Sequence, residues 1–178
     1  MVFRRMTQSV VSVAFALLFV LFAQIQKAEA KDLTSRLGIG YSDQFSESLP
    51  GISVRYWPEG KLGFGAALGV DTEDNNSRFG FMARLYRIIF TEENMNFYMG
   101  TGAGILSVEK LKANSTTEYE TESGFELGGF FGGEFFLNGL ENLGFAFEAG
   151  VSVTSIDSEV RFRTFGDSPI RAGITFYF

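Results

Sequence analysis

The sequence contains no cysteine and no histidine. The first absence removes disulfides and thiolate metal sites; the second removes the commonest general base and the commonest transition-metal ligand. A hydrolase on this chain would need a nucleophile without its usual base. Basic residues are also in short supply, with 15 Lys and Arg against 21 Asp and Glu and a net charge of −6. An acidic surface argues against nucleic acid as a partner. Beyond residue 30 there is no apolar run of the roughly 18 residues that a membrane-spanning helix needs.

The one long apolar run lies at the N-terminus. Arg4 and Arg5 precede apolar residues from Val10 to Ala23, and the polar stretch that follows ends in Ala28-Glu29-Ala30. That is the pattern of a secretory signal peptide with an A-x-A site, and it places cleavage after Ala30. The run is short of the roughly 20 residues that cross a bilayer. No Cys follows it, which excludes a lipoprotein, and Phe3-Arg4-Arg5-Met6-Thr7 lacks the remainder of a twin-arginine signal. The expected organisation is residues 1–30 as signal peptide and 31–178 as one domain. Losing Arg4, Arg5, Lys27 and Glu29 takes the net charge from −6 to −8.

Residues 31–178 divide into eight alternating segments separated by polar or Gly-, Asn- and Pro-bearing turns. They are predicted over Ser35 to Ser42, Gly51 to Trp57, Leu62 to Asp71, from Arg78, Asn96 to Ser107, Gly124 to Phe136, Leu143 to Val153, and Ile170 to Phe178. The fourth loses clean alternation at Arg87-Ile88-Ile89-Phe90, where a bulge is expected. In the sixth, doubled phenylalanines obscure the pattern; Glu126 and Glu134 share a face and set the register, leaving Phe125, Leu127, Phe131 and Phe135 on the other.

The last segment, P-I-R-A-G-I-T-F-Y-F from Pro169, puts Ile170, Ala172, Ile174, Phe176 and Phe178 on one face. A strand ending there must pair its edge, and in a closed barrel the partner is the first strand. The alternating strand with a terminal Phe resembles those of bacterial outer-membrane β-barrels, and with the signal peptide the chain resembles the small eight-stranded OmpA/OmpX-like family. The resemblance implies an all-β fold: an eight-stranded antiparallel up-and-down transmembrane β-barrel preceded by a cleaved signal peptide, located in the bacterial outer membrane. It further implies outer-membrane lipid and lipopolysaccharide as surroundings, and a barrel-assembly machinery that reads Ile174, Phe176 and Phe178. Unlike the OmpA type, nothing follows the last strand, so no peptidoglycan-binding domain is expected. Short connections fall after the even segments and face the periplasm; two long ones, Val108 to Ser123 and Thr154 to Ser168, face outside, the first as a projecting hairpin.

Alternation alone does not say whether the apolar face looks inward, as in a soluble lipocalin-like barrel, or outward to lipid. The opposite face carries 14 of the 21 glycines. On a solvated exterior glycine weakens strands with nothing gained; inside a narrow eight-stranded bore it makes room for large neighbours. The same face carries Arg36, Arg55, Arg84, Arg171, Asp71, Glu126, Glu134 and Glu148, a balanced set suited to a paired interior. Of the aromatics near the short-turn end (Tyr56, Trp57, Tyr86, Phe90, Phe97, Phe135, Phe176, Phe178), those with outward parity would form an interfacial girdle.

Motifs for chemistry are weak. Gly100-Thr101-Gly102-Ala103-Gly104 lacks phosphate-loop spacing and lies within a strand. Asp71 to Asn76 offers oxygen ligands for a hard cation without the Gly and Glu of an EF-hand loop. Asn114-Ser115-Thr116 matches a glycosylation acceptor that carries no weight in a bacterial-looking chain. Glu134 and Glu148 suit an acid/base pair by type, but arginines share their face, and ion pairing with Arg55 and Arg84 is the simpler reading. No cofactor is expected. The functional expectation is a non-enzymatic surface protein with acidic outer loops, with a narrow pore or small-ligand carrier and a soluble periplasmic lipocalin-like binder as alternatives. Oligomeric state is not legible.

Overall fold

In the computed structural model, residues 31–43, 49–112, 115–157, 159–164 and 171–178 are described. The expected signal peptide, with Ala28 and Ala30, lies outside them, as does Ile170. The chain forms β1 (Arg36–Asp43), β2 (Pro50–Glu59), β3 (Leu62–Asp71), β4 (Arg78–Glu92), β5 (Met95–Leu111), β6 (Tyr119–Phe136), β7 (Leu143–Ile156), β8 (Glu159–Thr164) and β9 (Arg171–Tyr177). Each of β1 to β7 pairs antiparallel with the next, β7 pairs with β9, and β9 returns to β1. The ring is a closed antiparallel barrel of eight strand positions.

The predicted strands are present, generally longer than alternation alone showed. The irregularity in β4 is a register shift between Ile88 and Phe90, as expected, and β2 carries a second between Tyr56 and Glu59. The outer connection from Val108 is a hairpin: β5 and β6 stay paired to Leu111 and Tyr119.

One expectation is corrected. Thr154 to Ser168 is not a long loop, because β7 continues to Ile156 and β8 runs back along it, pairing Ile156 with Glu159 and Val151 with Thr164. β9 takes the turn-side half of β7, from Leu143 to Glu148. Two strands therefore share the eighth position. Glu-Val-Arg-Phe-Arg-Thr does alternate, but its three charges in six residues read as loop, and only pairing with β7 reveals the strand.

Parity is resolved by burial. In β2, Ile52, Val54 and Tyr56 are exposed while Gly51, Ser53, Arg55 and Trp57 are buried. The same alternation holds in β6, with Glu126 and Glu134 inside and Phe125, Leu127 and Phe131 outside. The apolar face is thus the outer face and the polar face the lumen. Across the middle of the outer wall, Val54, Ala66, Ala83, Ala103, Leu127 and Val153 stand in one register row. Near the short turns Phe90 stacks on Phe97 with ring centroids 4.4 Å apart, and Phe135 on Phe145 at 5.3 Å. Trp57 and Tyr86, by contrast, point inward and are buried.

The turn-side half of the lumen is filled by Trp57, Tyr86, Tyr98, Phe130, Phe136 and Tyr177. Glycine makes room for them. A Cβ on Gly63 would lie 2.6 Å from the Trp57 ring, one on Gly65 2.8 Å from Tyr86, and one on Gly38 2.7 Å from Tyr177. Before β1, Leu33 seals this end, buried against the same cluster. It is held by Asn96 Nδ2 donating to Lys31 O at 3.1 Å and by Ser35 N–H donating to Trp57 O at 2.6 Å. Asp32 stays on the surface, where the N–H and hydroxyl of Thr34 hold its carboxyl below the usual range.

Candidate functional site

The lumen is where charge is concentrated. Arg55 enters from the middle of β2 and Glu134 from β6, four positions away around an eight-position ring and so opposite it across the bore. Arg84 enters from β4 and Glu148 from β7. All four are buried. Arg55 Nη1 donates to Glu134 Oε1 at 3.4 Å and its Nη2 to Glu148 Oε1 at 3.3 Å; Arg84 Nη1 donates to Glu148 Oε2 at 2.6 Å. Long guanidinium stems on one wall and shorter carboxylates on the other span the bore, and planar guanidinium forks suit carboxylate partners.

Aromatic residues complete the network. Tyr98 Oη donates to Glu148 Oε1 at 2.8 Å, and Tyr177 Oη lies 3.1 and 2.9 Å from the two Glu134 oxygens. Trp57 Nε1 donates to Tyr177 Oη at 3.5 Å. The Arg55 guanidinium sits 4.9 Å from the Tyr86 ring centre and Arg84 4.6 Å from that of Phe130, within cation–π range. Two cations and two anions therefore share an aromatic-walled compartment with no net charge. Nothing in the sequence singled out the tyrosines as donors; the signal that could have placed Tyr98 and Tyr177 in the lumen is their alternation with Phe97 and Phe176.

The other candidates sort by height. Arg171 is buried and stands opposite Glu148 in register, and it lines a cavity of about 10 Å³ with Arg84, Glu126 and Met82. That volume is about one water. Arg36, expected in the network, is corrected: it begins β1 at the turn-side mouth, half-buried, and its Nη2 donates to Asn142 Oδ1 at 3.1 Å. Asp71 ends β3 at the opposite rim, where it pairs with Arg78 at 2.8 Å and accepts the Glu73 N–H. The acidic stretch from Asp71 is thus bonded to its own loop. Beyond the network the outer lumen is lined by Ser42, Ser53, Ser152 and Thr154, while the buried Thr175 lies in the turn-side half, opposite Gly144.

Chemically the arrangement is a plug. Both glutamates have their oxygens occupied by arginine and tyrosine donors. Buried ion pairs of this kind hold a structure together mainly in the sense that removing one member is costly. Removing the Tyr98 hydroxyl as Tyr98→Phe withdraws one neutral donor from an ionised acceptor. The expected loss is about 1.5 to 3 kcal/mol, read from the unfolding midpoint in urea.

No protein-family model matches the chain, and no curated protein matches its sequence. In structure it is similar to the N-terminal β-barrel domain of OprF from Pseudomonas aeruginosa, with a TM-score of 0.51 at 13% identity over 82% of this chain and 98% of that domain. At that identity the likeness concerns the fold.

Proposed function

We propose that the protein is a non-enzymatic integral outer-membrane β-barrel whose lumen is closed and whose acidic outer hairpin faces the surroundings in a structural or surface-interaction role. One observation carries this reading: the barrel is inside out relative to a soluble one, with apolar side chains outward and charges inward. Ile52, Leu68, Phe81, Ile105, Leu127 and Phe131 are all exposed on the wall. In water such a surface would drive association; in hydrocarbon it is the required one.

Export through the signal peptide, cleavage after Ala30, passage to the barrel-assembly machinery and contact with lipopolysaccharide belong to the same proposal. The hairpin carries Glu109, Glu118, Glu120 and Glu122 against Lys110 and Lys112, with Lys110–Glu122 paired at 2.7 Å. Exposed pairs of this sort contribute little to stability and leave the surface acidic.

The reading is tested on the wall itself. Ala103→Arg, in the middle row, is expected to cost about 2 to 4 kcal/mol in lipid vesicles. On a solvated surface the same change would stay within about 0.5 kcal/mol. A cost that small, or a protein recovered mainly from the soluble fraction of cells, would overturn the membrane reading. Planar-bilayer recording should show little steady conductance, because the charge network and the aromatic cluster occupy the same bore; large stable channels would replace the closed barrel with a pore.

A further inference from the structure

The outer wall is not uniformly bulky. It is indented where Thr101 of β5 and Gly129 of β6 stand side by side in register, between Leu85, Met99, Phe131 and Val151. The hollow has a volume of about 520 Å³ and an almost wholly apolar lining. A second hollow of about 280 Å³ shares Thr101, Gly129 and Val151 with it and continues toward the outer rim past Val153 to Phe162. The two form one groove up the wall. From the row of Met99 to that of Ala103 and Val153 it extends four residues, roughly 13 Å along the strands.

Packing does not impose the missing side chain at Gly129. A Cβ there would meet nothing nearer than Gly100 O at 3.9 Å, whereas at the other strand glycines with described surroundings it would meet an atom at 3.2 Å or closer. Glycine weakens a strand interior and is often retained where something else approaches the backbone. The neighbouring Thr101 hydroxyl donates to Gly128 O at 2.8 Å, so it is already bonded to the wall.

At its turn-side end the groove meets a cation. Arg87 points outward, opposite Leu62 and Met99, and lines the hollow. The adjacent Ile88 N–H donates to Lys61 O at 2.8 Å, which sets Arg87 level with the turn between β2 and β3. Among the described residues Arg87 makes no ion pair. A guanidinium at headgroup height beside an apolar channel fits a phosphate with a hydrocarbon tail.

We infer that this groove holds an acyl chain of one glycerophospholipid from the turn-side leaflet, with its phosphate on Arg87. The inference rests on the membrane reading above. A second copy of the chain is the competing occupant, with the exposed Glu59 in the register row of Arg87 as the carboxylate it would bring; it would have to present that glutamate and an apolar ridge in one fixed geometry, whereas a single phospholipid satisfies cation and channel together.

The test uses the mature barrel folded into vesicles of phosphatidylethanolamine and phosphatidylglycerol, extracted in mild detergent and weighed by native mass spectrometry. One phospholipid should stay with each wild-type barrel. Gly129→Leu, which has room to fill the groove, should abolish retention. Arg87→Gln should lower it about tenfold, as loss of one charge-assisted contact would, and Arg87→Lys should restore most of it. Heat-modifiable migration on a gel confirms that each variant is folded. Insertion without retained lipid, or equal retention in Gly129→Leu, overturns the inference alone. Dimers dissolved by Gly129→Leu overturn it in favour of a second copy. Failure of the wild type to insert overturns the membrane reading and this inference with it.

Discussion

Arg55→Met should remove a large part of the barrel's stability. Met fills much of the space of the arginine stem, so the change chiefly removes charge and donors. What remains is Glu134 with the Tyr177 hydroxyl, and Glu148 with Arg84 and Tyr98, both walled in by aromatic rings. Removing one partner of a buried pair typically costs about 3 to 5 kcal/mol. Arg55 answers to two carboxylates, so its loss belongs at the top of that range, a large part of the roughly 5 to 15 kcal/mol that a domain has to lose. Water reaching the compartment would lower the figure, because screening weakens each interaction.

The measurement is the urea midpoint of the heat-modifiable species, wild type against Arg55→Met. A change below about 1 kcal/mol would show that the lumen is wet and the pairs incidental. The same logic fixes the sign of a cycle: Arg84→Ala with Glu148→Ala together should cost less than the two single losses summed. Strictly additive costs would deny the contact.

Face was legible in the sequence and height was not. Period-two alternation placed Arg55, Arg84, Glu134 and Glu148 on one side of their strands, and the glycines opposite the apolar set said which side was narrow. Both inferences use only local geometry. Arg36 and Asp71 have the same parity, but they stand at the ends of β1 and β3, where the lumen opens and the partners become Asn142 and Arg78. Alternation carries no information about depth unless strand ends are known, and ends depend on pairing. β8 illustrates the same limit: its exposed Val160 and Phe162 alternate with charges, and only the edge of β7 above Glu148 makes the segment a strand. The tyrosines show a third. Tyr98 and Tyr177 alternate with Phe97 and Phe176, which points them inward, yet which carboxylate each meets depends on the stagger of strands far apart in the chain.

The seam that closes the ring is the place where one added side chain should do most damage. β1 and β9 pair over only five residues, from Gly38 opposite Tyr177 to Ser42 opposite Gly173, with Leu37 and Phe178 exchanging backbone hydrogen bonds just beyond. β5 and β6, by comparison, pair over their whole length. Midway along the seam, a Cβ on Gly40 would collide with the carbonyl oxygen of Ile174 and come within 2.8 Å of Thr175 Cα. Both are backbone, so no rotamer change relieves the contact. Valine is otherwise a good strand residue, and Gly40→Val therefore isolates the clash from propensity. Overpacking ordinarily costs about 1 to 3 kcal/mol and occasionally more; here the alternative to absorbing it is to open the seam and expose two strand edges, which hydrocarbon does not tolerate. We expect Gly40→Val to yield almost no heat-modifiable barrel. Gly129→Val, the same exchange at a site with space, should fold normally. Phe178→Asp should fall between them, because Phe178 stands at the exposed end of the seam and an interfacial charge costs less than one at the midplane. Equal folded yield from Gly40→Val and Gly129→Val would mean that β1 and β9 do not approach as closely as the seam requires.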